Sequence, residues 1–343
     1  MNYKPSSIAL SLLLLTACQS SSVTQTAKPE LTTHLSQALY EVEFDSALKF
    51  KTAMVNLQSQ TEQFCQAKSS LEQVSLAWKQ GMSRWMWIQG QERGPAMALE
   101  QNWNVQFWPD KKNTTGRKMS QAVKTDVWSM ESVQLQSVTI QGLGAVEWLL
   151  YDEASTLAKG TREHCALATA ITASLTDRAD TIFKAWQTNP WSSLDKEAWE
   201  AEYLALLSNQ LDYSMKKLSR PLAKIGAPRP YFSESWRSKI SMSNLKANVE
   251  ALQALYLAKG EGLDRILRDE GHAPLADRIV KQFEDTLEPW PNETSLFALL
   301  QSKQGYRMAL SQYNKLEQLK YLINEEASIQ LGVVIGFNAT DGD

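Results

Sequence analysis

Residues 71–88 read Leu71-Glu72-Gln73-Val74-Ser75-Leu76-Ala77-Trp78-Lys79-Gln80-Gly81-Met82-Ser83-Arg84-Trp85-Met86-Trp87-Ile88. Leu71, Val74, Trp78, Met82, Trp85 and Ile88 fall three or four positions apart, which lays one apolar face along a helix. The same step recurs at Leu204, Leu207, Leu211, Met215 and Leu218, and at Leu245, Val249, Leu252 and Tyr256. A longer stripe runs through Leu296, Leu299, Tyr306, Leu310, Tyr313, Leu316 and Leu319, with Lys303 as a polar interruption. No stretch alternates apolar and polar residues long enough to demand a sheet, and Val333-Val334-Ile335 is at most one short strand. The expectation is an all-α chain.

Composition agrees. The chain has 343 residues, 43% hydrophobic and 21% charged, which suffices for a sizeable core and excludes a disordered chain. Fifteen Gly and eleven Pro are few for this length, so elements are long and loops scarce. The formal net charge is −3, and no basic excess directs the chain to nucleic acid. Twelve Trp belong mostly to the core, and three His weaken any multi-histidine metal site. The strongest break is 219–230 (SRPLAKIGAPRP), where three prolines and a glycine oppose continuous helix. This predicts two packed helical bundles, residues 31–218 and 219–343. Residues 108–118 read as a polar loop, and 152–162 and 187–195 as connectors.

The amino terminus reads as an address. Lys4 precedes an apolar run from Ile8 to Leu15, too short for a permanent bilayer span, and Leu15-Thr16-Ala17-Cys18 follows. This resembles a bacterial lipoprotein signal over residues 1–17, with Cys18 lipidated; the alternative is an ordinary secretory signal with an incidental Cys. Gln19, where an Asp would mark inner-membrane retention, implies the periplasmic face of the outer membrane of a Gram-negative bacterium. Residues 18–30 are polar and Ser/Thr-rich, a flexible tether. Export leaves Cys65 and Cys165 in an oxidising compartment, where a disulfide is expected; two separate buried thiols are the alternative.

Chemistry-bearing motifs are mostly missing: no His-Glu-x-x-His, no Gly-x-Ser-x-Gly, no phosphate-cradling glycine loop and no Cys-x-x-Cys. One segment stands out, Gln141-Gly142-Leu143-Gly144-Ala145-Val146-Glu147-Trp148-Leu149-Leu150. Two glycines open an apolar helix that carries one carboxylate. Glycine inside a helix costs about 1 kcal/mol relative to alanine, so these positions call for close backbone approach or an irregular turn. Glu147, if buried, needs a cation, a metal or hydrogen-bond donors; otherwise it lies on the solvated side of a helix packed through its glycines. Gln141 and Trp148 are candidates to line a site around it, and Arg84 a candidate charge partner from another helix.

That segment, together with Trp78 to Gln89-Gly90, Gly94-Pro95, Phe107-Trp108-Pro109-Asp110, Glu234-Ser235-Trp236-Arg237-Ser238 and the ending Gly336 to Asp343, resembles the imelysin (peptidase M75-like) family. The resemblance implies two helical bundles, export or lipid anchoring, and a link to iron uptake. The family's best-known motif is Gly-x-His-x-x-Glu. Gly142 and Glu147 fill its outer slots, but Gly144 stands where the His would, as in a branch that lacks it. His and Glu three apart share a helix face and can hold one ion; Gly144 offers no ligand. The resemblance therefore implies a lipid-anchored binding or accessory protein without assigned catalytic residues, with iron or another divalent metal as the associated cofactor. Its implied partners are the outer membrane and an iron-uptake system or another envelope protein. A metal-dependent peptidase and an envelope interaction module are the alternatives. Glu234 and Arg237, three apart, read as a pair on one helix.

Overall fold

The 71–88 stretch is a helix from Leu71 to Trp85, and Ser70 caps it by accepting from the Gln73 N–H at 3.3 Å. Val74, Trp78, Met82 and Trp85 are all buried, so the stripe lands in the core as its spacing predicts. The structure is a computed structural model and describes Met1, residues 27–125 and residues 127–333. Cys18 and the 336–343 ending lie outside the described residues, as do Val334 and Ile335 of the candidate strand.

In chain order the helices are α1 (Gln37–Cys65), α2 (Leu71–Trp85), α3 (Ala96–Leu99), α4 (Asn102–Val105), α5 (Thr114–Ala122), α6 (Met130–Gln134), α7 (Leu143–Tyr151) and α8 (Cys165–Ala185). There follow α9 (Lys196–Leu222), α10 (Ser241–Leu257), α11 (Leu263–Asp269), α12 (Ala273–Leu287), α13 (Leu296–Leu299) and α14 (Lys303–Lys320), which runs on into a π-helical turn at Tyr321–Ala327. Among the described residues the β pairing is one isolated bridge, Lys224 to Ala227. The protein is all-α.

Helix α1 packs against both α2 and α8, and α7 lies on α2, α5 and α8. Further along, α9 packs on α10 and α14, and α10 reaches back to α1 and α2. One contiguous apolar cluster takes residues from α1 through to the π-helical turn. The end of α1 is joined to the start of α8 by the disulfide Cys65–Cys165, across a separation of 100 residues. Chain entropy puts closure of such a loop at about 4.7 kcal/mol as an upper figure.

Three local expectations change. The polar segment 108–118 is not all loop: α5 begins at Thr114, because Asp110 accepts from the backbone N–H groups of Thr114 (2.6 Å) and Thr115 (2.8 Å). A carboxylate answering the orphan donors of a first turn is enough to start a helix there. The stripe from Leu296 to Leu319 is two helices. Ser302 caps α14 by accepting from Gly305 N–H, so the polar interruption at Lys303 marks a helix start. Finally α9 continues four residues past 218, with Pro221 in its last turn, and the chain then turns back as Arg229 N–H donates to the Pro221 carbonyl at 2.7 Å.

Candidate functional site

The two glycines of 141–150 do different work. Gly142 precedes the first turn of α7 in extended backbone, and a Cβ there would run into the Val105 and Asn104 carbonyls at the end of α4. It permits two backbones to touch. Among the described residues nothing lies within 4 Å of where a Cβ on Gly144 would be. Gly144 opens a small cavity, and Glu147, one turn on, stands on the same helix face.

Glu147 is 5% exposed. Its Oε1 accepts from the Ser238 N–H at 2.9 Å and from the Ser238 hydroxyl at 2.8 Å. Burial pushes its carboxyl above the usual carboxylate range, while these bonds and the nearby Arg237 charge pull the other way. The cavity holds about 40 Å³, room for a few waters, and is walled by Trp108, Asp110, Gly144, Glu147, Ser233 and Arg237. Three segments far apart in sequence therefore meet: 106–110, 144–147 and 231–237.

Arg237 fixes one wall. Its Nε donates to Asp152 Oδ2 and its Nη2 to Asn113 Oδ1, both at 2.7 Å, and its guanidinium lies 4.3 Å from the centre of the Trp236 ring. Trp108, joined to Pro109 by a cis peptide, donates from Nε1 to the Phe232 carbonyl at 3.2 Å. Asn113 and Ser235, at φ 48° and 49°, hold left-handed backbone on either side of the cleft. Such conformations cost about 1–3 kcal/mol each and persist only where surrounding contacts impose them.

Behind the cavity lies a buried polar network. Lys217 Nζ, on α9, contacts Glu234 Oε2 at 2.7 Å, Gln89 Oε1 at 2.7 Å and Asn248 Oδ1 at 2.5 Å. Gln89 Nε2 in turn donates to Glu234 Oε1 at 2.8 Å and Gln106 Oε1 at 2.6 Å. Burial lowers the Lys217 ammonium from its ordinary value, and Glu234 opposes that shift. Glu234 and Arg237 thus do not pair on a helix. The segment 233–239 is a series of turns, so each side chain is free to reach a different helix.

Of the other residues singled out from sequence, Gln141 is buried outside this cavity, its Nε2 donating to the Gln134 and Gln136 carbonyls. Trp148 is 1% exposed, within the core. Arg84 is not the charge partner of Glu147. It lines a surface groove with Leu48, Thr52 and Asn56 on the outer side of α2, and Arg237 is the cation near Glu147. Ser233, Ser238 and Lys217 join the site without being singled out by the sequence pattern. Ser238 lies inside the quoted 234–238 segment, which was the available signal for it.

The donor set does not fit a metal. Gly144 supplies no ligand, Glu147 Oε1 is held by Ser238, and both Asp110 oxygens cap α5. Among the described residues no three His, Cys, Asp or Glu side chains cluster suitably.

The imelysin (peptidase M75) family model matches residues 46–323. The chain belongs to the imelysin family. An imelysin-like protein from Psychrobacter arcticum 273-4 has a similar solved structure, with TM-score 0.73 and 18% identity over 90% of this chain and 99% of that one. A putative iron-regulated protein A precursor from Parabacteroides distasonis ATCC 8503 is also similar, at TM-score 0.61 and 13% identity over 87% and 97%. At these identities the likeness establishes the imelysin fold alone. No curated protein matches the chain. In this imelysin three of the segments that carry the resemblance, 107–110, 141–150 and 234–238, meet around Glu147.

Proposed function

We propose that this imelysin-family chain is a lipid-anchored binding or accessory protein of the outer membrane's periplasmic face, working in iron or other metal acquisition. Its ligand is held in the cleft beside Glu147. The observation that carries the reading is the convergence of Trp108, Gly144, Glu147 and Arg237 on one cavity, with open space where a motif histidine would stand. A non-enzymatic role is favoured because Ser238 holds Oε1 of Glu147 and both oxygens of Asp110 accept from the first turn of α5. The iron connection draws on the family and on the similar fold of a protein described as iron-regulated. Leu15-Thr16-Ala17-Cys18 supports the anchor, and no described helix is long and apolar enough to cross a membrane.

Radiolabelled iron uptake by iron-starved cells, with and without the gene, tests the process. Reduced uptake on deletion, restored by the wild type and not by Cys18→Ser, is the expected result. Unchanged uptake contradicts it.

A further inference from the structure

We propose that the cleft leading outward from Glu147 binds an organic anion that carries a flat aromatic ring. This rests on the reading above that the cleft is the ligand site, and it names the chemistry of the ligand. Outside the inner cavity lies a second one of about 230 Å³, walled by Lys111, Lys112, Tyr231, Phe232 and Trp236; the two share Asp110, Tyr231 and Trp236. An apolar cavity of roughly 150 Å³ takes up benzene, so the outer cavity accommodates one substituted ring.

The ring preference comes from Tyr231. It is 62% exposed, yet it stands edge-on to Trp236 at 4.9 Å and to Phe297 at 5.0 Å. Two aromatic neighbours hold it while a face stays open, which makes a preorganised surface for stacking. The charge preference comes from the rim. Lys111 and Lys112 are exposed and take part in no ion pair among the described residues. Of the carboxylates nearby, Asp152 is paired with Arg237, Asp110 is turned to the first backbone N–H groups of α5, and Glu147 lines the inner cavity only. The charged lining of the outer cavity, Lys111 and Lys112 against Asp110, thus carries one net positive charge, which favours anions.

A third observation points inward. Ser233 is 2% exposed and lines the inner cavity, and its hydroxyl has no hydrogen-bond partner among the described residues. A buried hydroxyl without a partner is costly, and a ligand oxygen reaching past the ring would complete it. Hydroxybenzoates and catecholates have this shape. Two sources share the chemistry, a free aromatic acid and the ferric complex of a catecholate chelator.

Calorimetric titration of the purified full chain separates these. The probes are 2,3-dihydroxybenzoate, its ferric complex, benzyl alcohol as a ring without charge, and acetate as a charge without ring. Dihydroxybenzoate is expected to bind at least tenfold more tightly than either single-feature probe. Tyr231→Ala, and Lys111→Ala with Lys112→Ala, should each weaken it tenfold or more at unchanged melting temperature. The lysine pair should also flatten the salt dependence. Equal affinity for the acid, the alcohol and acetate overturns the proposal, as does indifference to Tyr231→Ala or no binding of the acid and its complex. Binding of the free acid but not the ferric complex upholds the cleft chemistry and counts against the iron reading. Binding of ferric citrate alone, insensitive to Tyr231 and both lysines, overturns the cleft chemistry and leaves the iron reading standing.

Discussion

Ser238 donates two hydrogen bonds to a single oxygen of Glu147, across 91 positions of chain. This clasp fixes the irregular segment 231–239 onto α7 and so sets the width of the cleft. Glu147→Gln keeps an acceptor oxygen and should cost about 1 kcal/mol of stability. Glu147→Ala strands the Ser238 N–H in a nearly dry pocket and should cost about 1–3 kcal/mol. Urea unfolding of the two variants checks the order; equal, negligible losses would show that the clasp does not hold the segment.

Gly142 and Gly144 should respond oppositely to the same methyl group. Gly144→Ala adds a Cβ into open space and removes a helix-destabilising glycine, so it should stabilise by about 0.5–1 kcal/mol. Gly142→Ala drives a Cβ into the Val105 carbonyl and should destabilise by about 1–3 kcal/mol. Thermal melts of both variants are the check.

The Lys217–Glu234 pair, 3% and 1% exposed at the side chains, should behave as a buried ion pair. Lys217→Met leaves an uncompensated carboxylate and should cost about 3–5 kcal/mol. Lys217→Met combined with Glu234→Gln should recover part of that loss, because no net charge then remains buried. A double-mutant cycle measures the coupling.

Glu43 sets a pH slope. It is fully buried, its Oε1 accepts from Gln91 at 2.7 Å and its Oε2 has no partner among the described residues, and burial pushes its carboxyl up to about 8. A carboxyl raised in the folded state binds its proton more tightly there than in the unfolded chain. Its contribution to stability is therefore complete below the ordinary value of 4.5 and is lost as pH rises to about 8. Stability of the wild type should fall over that window more steeply than stability of Glu43→Gln, as read by denaturant midpoints at several pH values.

The helices were legible where they bury a single stripe, and residues 71–85 show the rule most plainly. That rule fails on α9. Neighbours cover it on several sides, so Lys217 next to an apolar stripe looks exposed in sequence and is buried in fact. The centre of the site was legible at Gly144 and Glu147, since a glycine that tolerates cost and a carboxylate among apolar residues both call for explanation. The partner of Glu147 was not. Arg84 lies on the outer side of α2, and Ser238 and Arg237 arrive on a segment of turns, where no periodicity tells which way a side chain points.

The proposed ligand site is the open space at Gly144. The most direct measurement is radiolabelled iron uptake by iron-starved cells lacking the chromosomal gene and supplied with Gly144→Leu. A leucine there meets no wall at its Cβ and extends into the cavity, so the protein should fold and be exported at wild-type level. Uptake should remain at the deletion level. Full restoration of uptake by the filled cleft would contradict the account.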